Sequence, residues 1–288
     1  MPNFRLTCNS RLLFIQILVA CLWAAPALGD VNLQGESVQG GLIFGKAVPG
    51  SRVTLDGNEL IVSAQGSFVI GFDRDETGQR ILIVSAPDQP DEVINLDVAP
   101  RKYAIEHVDG LPPETIHPDP EAEQRIRDEA AMVNTARSRR DPQTWYLTGF
   151  AWPASGRISG VYGSQRILNG EPGRPHYGVD IATGVGSPVY APADGVITLA
   201  HPGMYFSGGT LILDHGQGLS SSFLHLSKIL VETGTNVHQG DLIALVGATG
   251  RASGPHLDWR MNWLDRHVDP QLLMAKLPLP EGQAGDSR

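Results

Sequence analysis

At 288 residues the chain has room for about two domains, each with a sizeable core. It carries 33 glycines, 21 prolines and 18% charged residues, a turn-rich composition that favours β structure over a helical bundle. A formal net charge of −9 argues against a broad nucleic-acid-binding surface.

The first segment reads as a targeting signal. Arg5 and Arg11 open it, an apolar run follows over 12–22, and Ala27-Leu28-Gly29 offers the small-x-small pattern of a signal peptidase site. Residues 1–29 are therefore predicted to be a signal peptide, and the mature protein to be exported to the periplasm or cell envelope. Cleavage before Asp30 removes two arginines and no acid, which takes the net charge from −9 to −11. The alternative is a lipid anchor, because Leu18-Val19-Ala20-Cys21 resembles a lipoprotein signal with Cys21 as the lipidated residue. The apolar residues that continue past Cys21 fit simple export better. No later stretch is long and apolar enough to span a bilayer. Both cysteines, Cys8 and Cys21, lie in this segment. The mature chain thus has no disulfide and no thiolate metal site, and any metal must be held by histidines and carboxylates.

Residues 30–109 read as short strands joined by turns. Arg52-Val53-Thr54-Leu55 alternates, Asp56-Gly57 is a hairpin turn signal, and Glu59-Leu60-Ile61-Val62 returns. With 66–72, 80–84 and 93–96 this makes a small β-sandwich module. No catalytic spacing of His, Asp, Glu or Ser occurs in it, so a spacer or wall-binding role is expected. Residues 110–144 read as a linker: a Pro-rich start, then a helix predicted over 120–140, with acids early and bases late. Its apolar positions are sparse, which suits a solvated connector lying on one domain. His107 and His117 stand alone and are expected at the surface. From 145 to 275 Gly-punctuated strands return without a long amphipathic helix, which predicts an all-β domain; 276–288 is expected to be a flexible tail.

Three segments of that domain concentrate the chemistry-bearing residues. They are Arg174-Pro175-His176-Tyr177-Gly178-Val179-Asp180, Ser222-Phe223-Leu224-His225-Leu226-Ser227 and Gly254-Pro255-His256-Leu257-Asp258-Trp259-Arg260. His256 and Asp258 are two apart in a strand-like run, so they share a face, and Leu257 and Trp259 take the other. His176 and Asp180 are four apart, roughly 13 Å in a straight strand. Zinc bonds to nitrogen and oxygen are about 2 Å, so sharing an ion requires a bend, which Gly178 would permit. Taken singly, each pair also reads as an ordinary surface or turn-capping pair. His215, after a strand, is expected to be structural. His201, His238 and His267 lack partners at useful spacing and are expected to be exposed. Tyr205 is a candidate groove residue that nothing in the spacing requires.

In their order, these segments resemble the lysostaphin-type (LytM-like) zinc endopeptidases that act on peptidoglycan. The resemblance covers roughly 120 residues, from Trp152-Pro153 through Tyr162-Gly163, Ala191-Pro192-Ala193-Asp194-Gly195, Asp214-His215-Gly216 and Gly240-Asp241-Leu242-Ile243 to Gly254-Pro255-His256-Leu257. It implies a mainly β fold: a C-terminal lysostaphin-like (duplicated hybrid motif) antiparallel β domain, preceded by the small sandwich and the helical linker. It also implies one Zn²⁺ per chain, held by His176, Asp180 and a residue of the last motif, with His225 and His256 as catalytic side chains. The implied substrate is the peptide part of peptidoglycan, in its stems or cross-bridges.

One position departs from the family. Its last motif is His-x-His, with the second histidine on zinc, and here that position is Asp258. Asp is a legitimate zinc ligand. Two carboxylates neutralise the ion, however, where two histidines and one carboxylate leave it a net positive charge, so its Lewis acidity should weaken. The competing function is therefore a catalytically degenerate relative that binds the wall or activates another cell-wall hydrolase.

Overall fold

The computed structural model describes residues 31–109 and 120–274. The expected signal peptide with Cys21, the Pro-rich stretch with His117 and the expected tail lie outside the described residues. Eight strands come first: β1 (Asn32–Gly35), β2 (Leu42–Lys46), β3 (Arg52–Leu55), β4 (Asn58–Glu59), β5 (Ser67–Gly71), β6 (Gly78–Ser85), β7 (Glu92–Val98) and β8 (Ile105–Val108). Two antiparallel sheets, ordered β1-β2-β5 and β4-β3-β6-β7, use the first seven. Phe68, Ile70, Phe72 and Leu82 are fully buried there. The Asp56-Gly57 turn joins β3 to β4 with φ of 50° and 78°, the two positive values that a two-residue hairpin loop of the twisted kind requires.

Helix α1 (Pro120–Arg137) follows, then a 3₁₀ turn (Trp145–Thr148). The helix stops three residues short of the predicted end. Ser138 donates both its N–H (3.2 Å) and its hydroxyl (2.8 Å) to the Thr135 carbonyl, and Arg139 turns away to Asp141 and Asp214. Ile126, Glu129, Val133, Ala136 and Arg137 recur at helical spacing as its more buried positions, so one stripe faces the protein. That stripe lies across the main sheet, with Arg125 donating to the Gly203 carbonyl at 2.8 Å and Glu129 accepting from the Tyr205 N–H at 2.8 Å.

The remaining strands are β9 (Arg157–Gly160), β10 (Gln165–Leu168), β11 (Glu171–Pro172), β12 (Gly178–Ala182), β13 (Pro188–Tyr190), β14 (Gly195–Met204), β15 (Gly208–Asp214), β16 (Leu219–Ile229), β17 (Asn236–Val237), β18 (Leu242–Val246), β19 (His256–Trp263) and β20 (Arg266–Val268), closed by helix α2 (Pro270–Met274). The main sheet runs β17-β14-β15-β16-β19-β12-β9, with β18 on β16 and β20 on β19. Its pairings are antiparallel, so consecutive strands need only short loops. Trp259, Phe223, Ile181, Leu211 and Leu213 are completely buried on one face. Strand β8 leaves the N-terminal segment to pair in parallel with β10, and Gln217 reaches back to donate to the Ser67 carbonyl at 2.8 Å. Residues 31–109 and 120–274 thus pack as one body. Among the described residues no helix is long and apolar enough to cross a membrane.

Candidate active site

The site is built on the pairing of β12 with β19. Register places Gly178 opposite Arg260, Asp180 opposite Asp258, and Ala182 opposite His256. Because side chains alternate along a strand, His256, Asp258 and Arg260 share the open face, while Leu257, Trp259 and Met261 are fully buried on the other. His176 lies just before β12. Its backbone is clamped by the 163–164 turn, with its N–H on the Ser164 carbonyl and its own carbonyl accepting from Gly163, both at 2.8 Å.

This folds His176 Nε2 to 3.2 Å from Asp180 Oδ1. The bend precedes the strand and owes nothing to a left-handed Gly178. Gly178 matters for space instead. A Cβ there would meet Arg260 Cγ, Asp258 Oδ1 and the Trp259 carbonyl oxygen, each at 2.6 Å.

One potential ligand atom from each of His176, Asp180 and Asp258 lies within 4.8 Å of the others. A tetrahedral ion with bonds of about 2 Å holds its ligand atoms roughly 3.3 Å apart, within reach of small side-chain rotations. His176 Nε2 and Asp180 Oδ1 are buried and lack any hydrogen-bond partner. Two orphaned ligand atoms aimed at one another are what a metal site looks like without its ion, since buried polar atoms are otherwise satisfied. Burial works against a charge on His176, but the Asp180 carboxylate beside it and the charge of Asp258 outweigh that and raise its pKa.

Asp258 is engaged differently. Arg260 Nε donates to both of its oxygens at 3.0 Å, and Nη2 donates to Oδ2 at 2.6 Å. The pair is two apart on one strand, and Asp258 is 2% exposed. Burial opposes its ionisation, yet the Arg260 charge holds its carboxyl below the usual carboxylate range. A carboxylate has about four lone-pair sites, so the three contacts leave Oδ1 able to bind an ion while Arg260 keeps Oδ2. The residues therefore fit a metal ion. Arg260 also changes the charge count: one guanidinium beside two carboxylates leaves the donor set at net −1, the value of two histidines with one carboxylate. The sequence carried this signal in the alternation 256, 258, 260, which already placed Arg260 beside Asp258.

His225 and His256 meet across the groove, their ring centres 4.8 Å apart. Each Nδ1 sits 2.8 Å from a carbonyl oxygen, of Thr249 and Gly254 respectively. A carbonyl only accepts, so each Nδ1 carries the proton and each Nε2 is left free to accept one. His256 Nε2 is 3.8 Å from Asp180 Oδ1. Burial lowers the His225 pKa, so this ring is neutral at pH 7. His225 occupies a bulge in β16, where the register against β15 slips between Leu226 and Phe223, and its φ is 65°. A left-handed non-glycine residue costs of order 1–3 kcal/mol and persists where the surroundings impose it.

The other histidines divide. His215 is fully buried; its Nδ1 donates to the Asp194 carbonyl (2.8 Å), and the Ser221 hydroxyl donates to Nε2 (2.9 Å). His107 and His238 are exposed. Two expectations of exposure are corrected. His267 stacks on Tyr177 with centroids 3.8 Å apart and faces Asp73 at 3.5 Å, while the His201 ring is half-buried and its Nδ1 accepts the Gly203 N–H at 3.2 Å. Spacing along the chain did not reveal these partners because they come from turns and from other strands. Phe206, rather than its neighbour Tyr205, lines the cavity beside α1, while the Tyr205 ring lies 5.8 Å from the Arg125 guanidinium of that helix.

Residues 174–270 match the description of Peptidase family M23. A crystal structure from Pseudomonas aeruginosa assigned to peptidase M23 superposes with a TM-score of 0.65 at 30% identity, covering 83% of this chain and 95% of that one. The chain belongs to peptidase family M23. Among curated relatives, the peptidoglycan DD-endopeptidase ShyB of Vibrio cholerae is 39% identical over 116 residues, 40% of this chain and 26% of the relative. An uncharacterized metalloprotease of Haemophilus influenzae is 43% identical over 108 residues, 36% of this chain and 22% of the relative. The chain thus spans about a quarter of the length of these relatives.

Proposed function

We propose that this chain is an exported zinc metalloendopeptidase that hydrolyses peptide bonds of bacterial peptidoglycan in cell-wall remodelling. The supporting observation is the set of His176, Asp180 and Asp258 ligand atoms within 4.8 Å, two of them buried without hydrogen-bond partners. These three residues would hold the ion. Zinc bound there would supply a Lewis acid that polarises the scissile carbonyl and makes water easier to deprotonate. His256 and His225 line the same groove and would present free Nε2 atoms to a substrate there. They would take the proton from the attacking water, steady the developing oxyanion and return a proton to the leaving amine. The groove, of about 990 Å³, is open along β12 and β19 and bordered by β8 and β10, which suits an extended peptide. Peptidoglycan as substrate rests on the named activity of relatives such as ShyB.

Metal content of the purified protein, measured with the release of soluble peptides from purified sacculi, tests this reading. About one zinc per chain and peptide release are expected, and Asp258→Ala should lower both. Folded protein with neither zinc nor peptide release would overturn it.

A further inference from the structure

The groove does not end at the paired histidines. Arg174, His225, Arg251 and Arg260 also wall a second cavity of about 900 Å³ between α1 and the open face of β14, β15 and β16. Three of these four boundary residues are arginines. We infer that this cavity is a carboxylate subsite, in which Arg137 and Arg174 take a carboxylate carried by the peptide that lies in the groove. The inference rests on the reading of the groove as a peptide site.

The charges on the cavity wall point to that ligand class. Arg137, at the end of α1, donates through Nη2 to the Ser222 hydroxyl at 2.8 Å, while its Nε is buried without a hydrogen-bond partner. No carboxylate lies within ion-pair distance of it among the described residues. Burial, and then the positive charge of Arg260, lower its pKa to about 10, so it remains charged at neutral pH in surroundings that disfavour the charge. The acid on this wall, Glu129, is committed to Arg125 Nε at 2.7 Å and to the Tyr205 N–H. The charge of Arg260 is taken by Asp258. Arg174 is exposed at the mouth and has no carboxylate partner among the described residues. A half-buried guanidinium whose Nε is shut away from solvent, with a cationic neighbour and no counter-ion, is costly unless a ligand supplies the anion. Its planar fork matches a carboxylate with two parallel hydrogen bonds. Behind it, Met204, Ile212 and Leu224 form an apolar wall that suits a small side chain on the residue carrying the carboxylate.

The test uses synthetic peptides that differ in one group. One pair ends in a free carboxylate or a carboxamide, and a second pair carries glutamate or glutamine at an internal position. The zinc-loaded full chain should prefer the carboxylate member of one pair by about tenfold or more in kcat/KM, the scale of a charge-assisted hydrogen bond. The pair showing the preference identifies whether the carboxylate is terminal or on a side chain. Arg137→Met should bring that ratio close to one by raising KM for the carboxylate peptide, and Arg137→Lys should retain part of it. An unchanged ratio in Arg137→Met, shown by circular dichroism to be folded, overturns the subsite. If no peptide is cut at all, the hydrolase reading has failed separately. Fluorescence anisotropy with the same labelled peptides then decides the subsite: carboxylate preference lost in Arg137→Met supports it, and equal binding of both members overturns it.

Discussion

Asp258 and Arg260 should behave as one unit that replaces a neutral ligand, and exchanging the unit should separate charge from geometry. In Asp258→His the guanidinium loses the carboxylate that holds it at 2.6–3.0 Å. The donor set then carries net 0 before metal binds. In Arg260→Met, which keeps an apolar stem for packing, Asp258 loses its counter-charge and the set carries net −2. The double variant returns to −1, as in the parent. At about 5 Å and an effective dielectric near 20, one unit charge acting on another is worth about 3 kcal/mol, roughly a hundredfold in affinity. Zinc affinity, read by competition with a chelator, should therefore rank Arg260→Met above the parent, the double variant near the parent, and Asp258→His lowest. Stability of the metal-free proteins should follow a different pattern, because breaking one partner of a buried pair costs about 3–5 kcal/mol whichever partner is removed. Urea unfolding should show that loss in each single variant and recover most of it in the double. The reasoning is refuted if the two single losses add in the double variant, or if Asp258→His alone binds zinc as tightly as the double.

Three further outcomes follow from particular contacts. Gly178→Ala sets a Cβ 2.6 Å from Arg260 Cγ, Asp258 Oδ1 and a backbone carbonyl that cannot yield, so it should cost about 1–3 kcal/mol in thermal unfolding and weaken zinc binding; parent-like values in both would show that the pair can shift freely. His225→Gly should relieve the strained φ of 65° and leave the melting temperature unchanged or higher, yet lower peptide release from sacculi by about a hundredfold or more; retained hydrolysis would remove His225 from the chemistry. Burial lowers the His215 pKa to about 4, so its contribution is complete above pH 6.5 and lost as pH falls towards 4, whereas burial raises Asp214 to about 6, so its contribution is complete below pH 3.8 and lost as pH rises through 6. The two oppose each other, and Asp214→Asn should expose an acid-side stability loss of about 3 kcal/mol that the parent largely masks; identical pH slopes for the two proteins would contradict these assignments.

Much of the fold was legible because it rests on local rules. Asp56-Gly57 can take two positive φ values, and alternation from His256 to Trp259 divides a polar face from an apolar one. The mainly β architecture and the family followed from such signals in order along the chain. The partners of the site residues were less legible. Arg260 lies in the 254–260 segment, but its role depends on Asp258 being buried and on Gly178 leaving room from the neighbouring strand. In the sequence Arg137 is one of three arginines, with Arg139 and Arg140, that close the predicted helix. Its burial beside Ser222 depends on where α1 lands on the sheet, which the helix's sparse apolar positions did not specify. His267 likewise gains Tyr177 and Asp73 only through tertiary packing.

The Asp180–Asp258 register gives these observations a common cause. Like charges directly opposite on neighbouring strands repel, and here they do so in a partly desolvated groove. The sheet tolerates the pair because cationic or polarisable groups are set on both sides. His176 reaches Asp180 from the chain before β12, and Arg260 reaches Asp258 along β19. Asp180 Oδ1, which faces His176 Nε2 at 3.2 Å, satisfies no hydrogen bond and so stays available to an ion. A histidine in place of Asp258 would need neither Arg260 nor the room that Gly178 provides for it. The exchange is thus self-contained within two paired strands, and it can preserve the electrostatics of a metal site without altering the rest of the sheet.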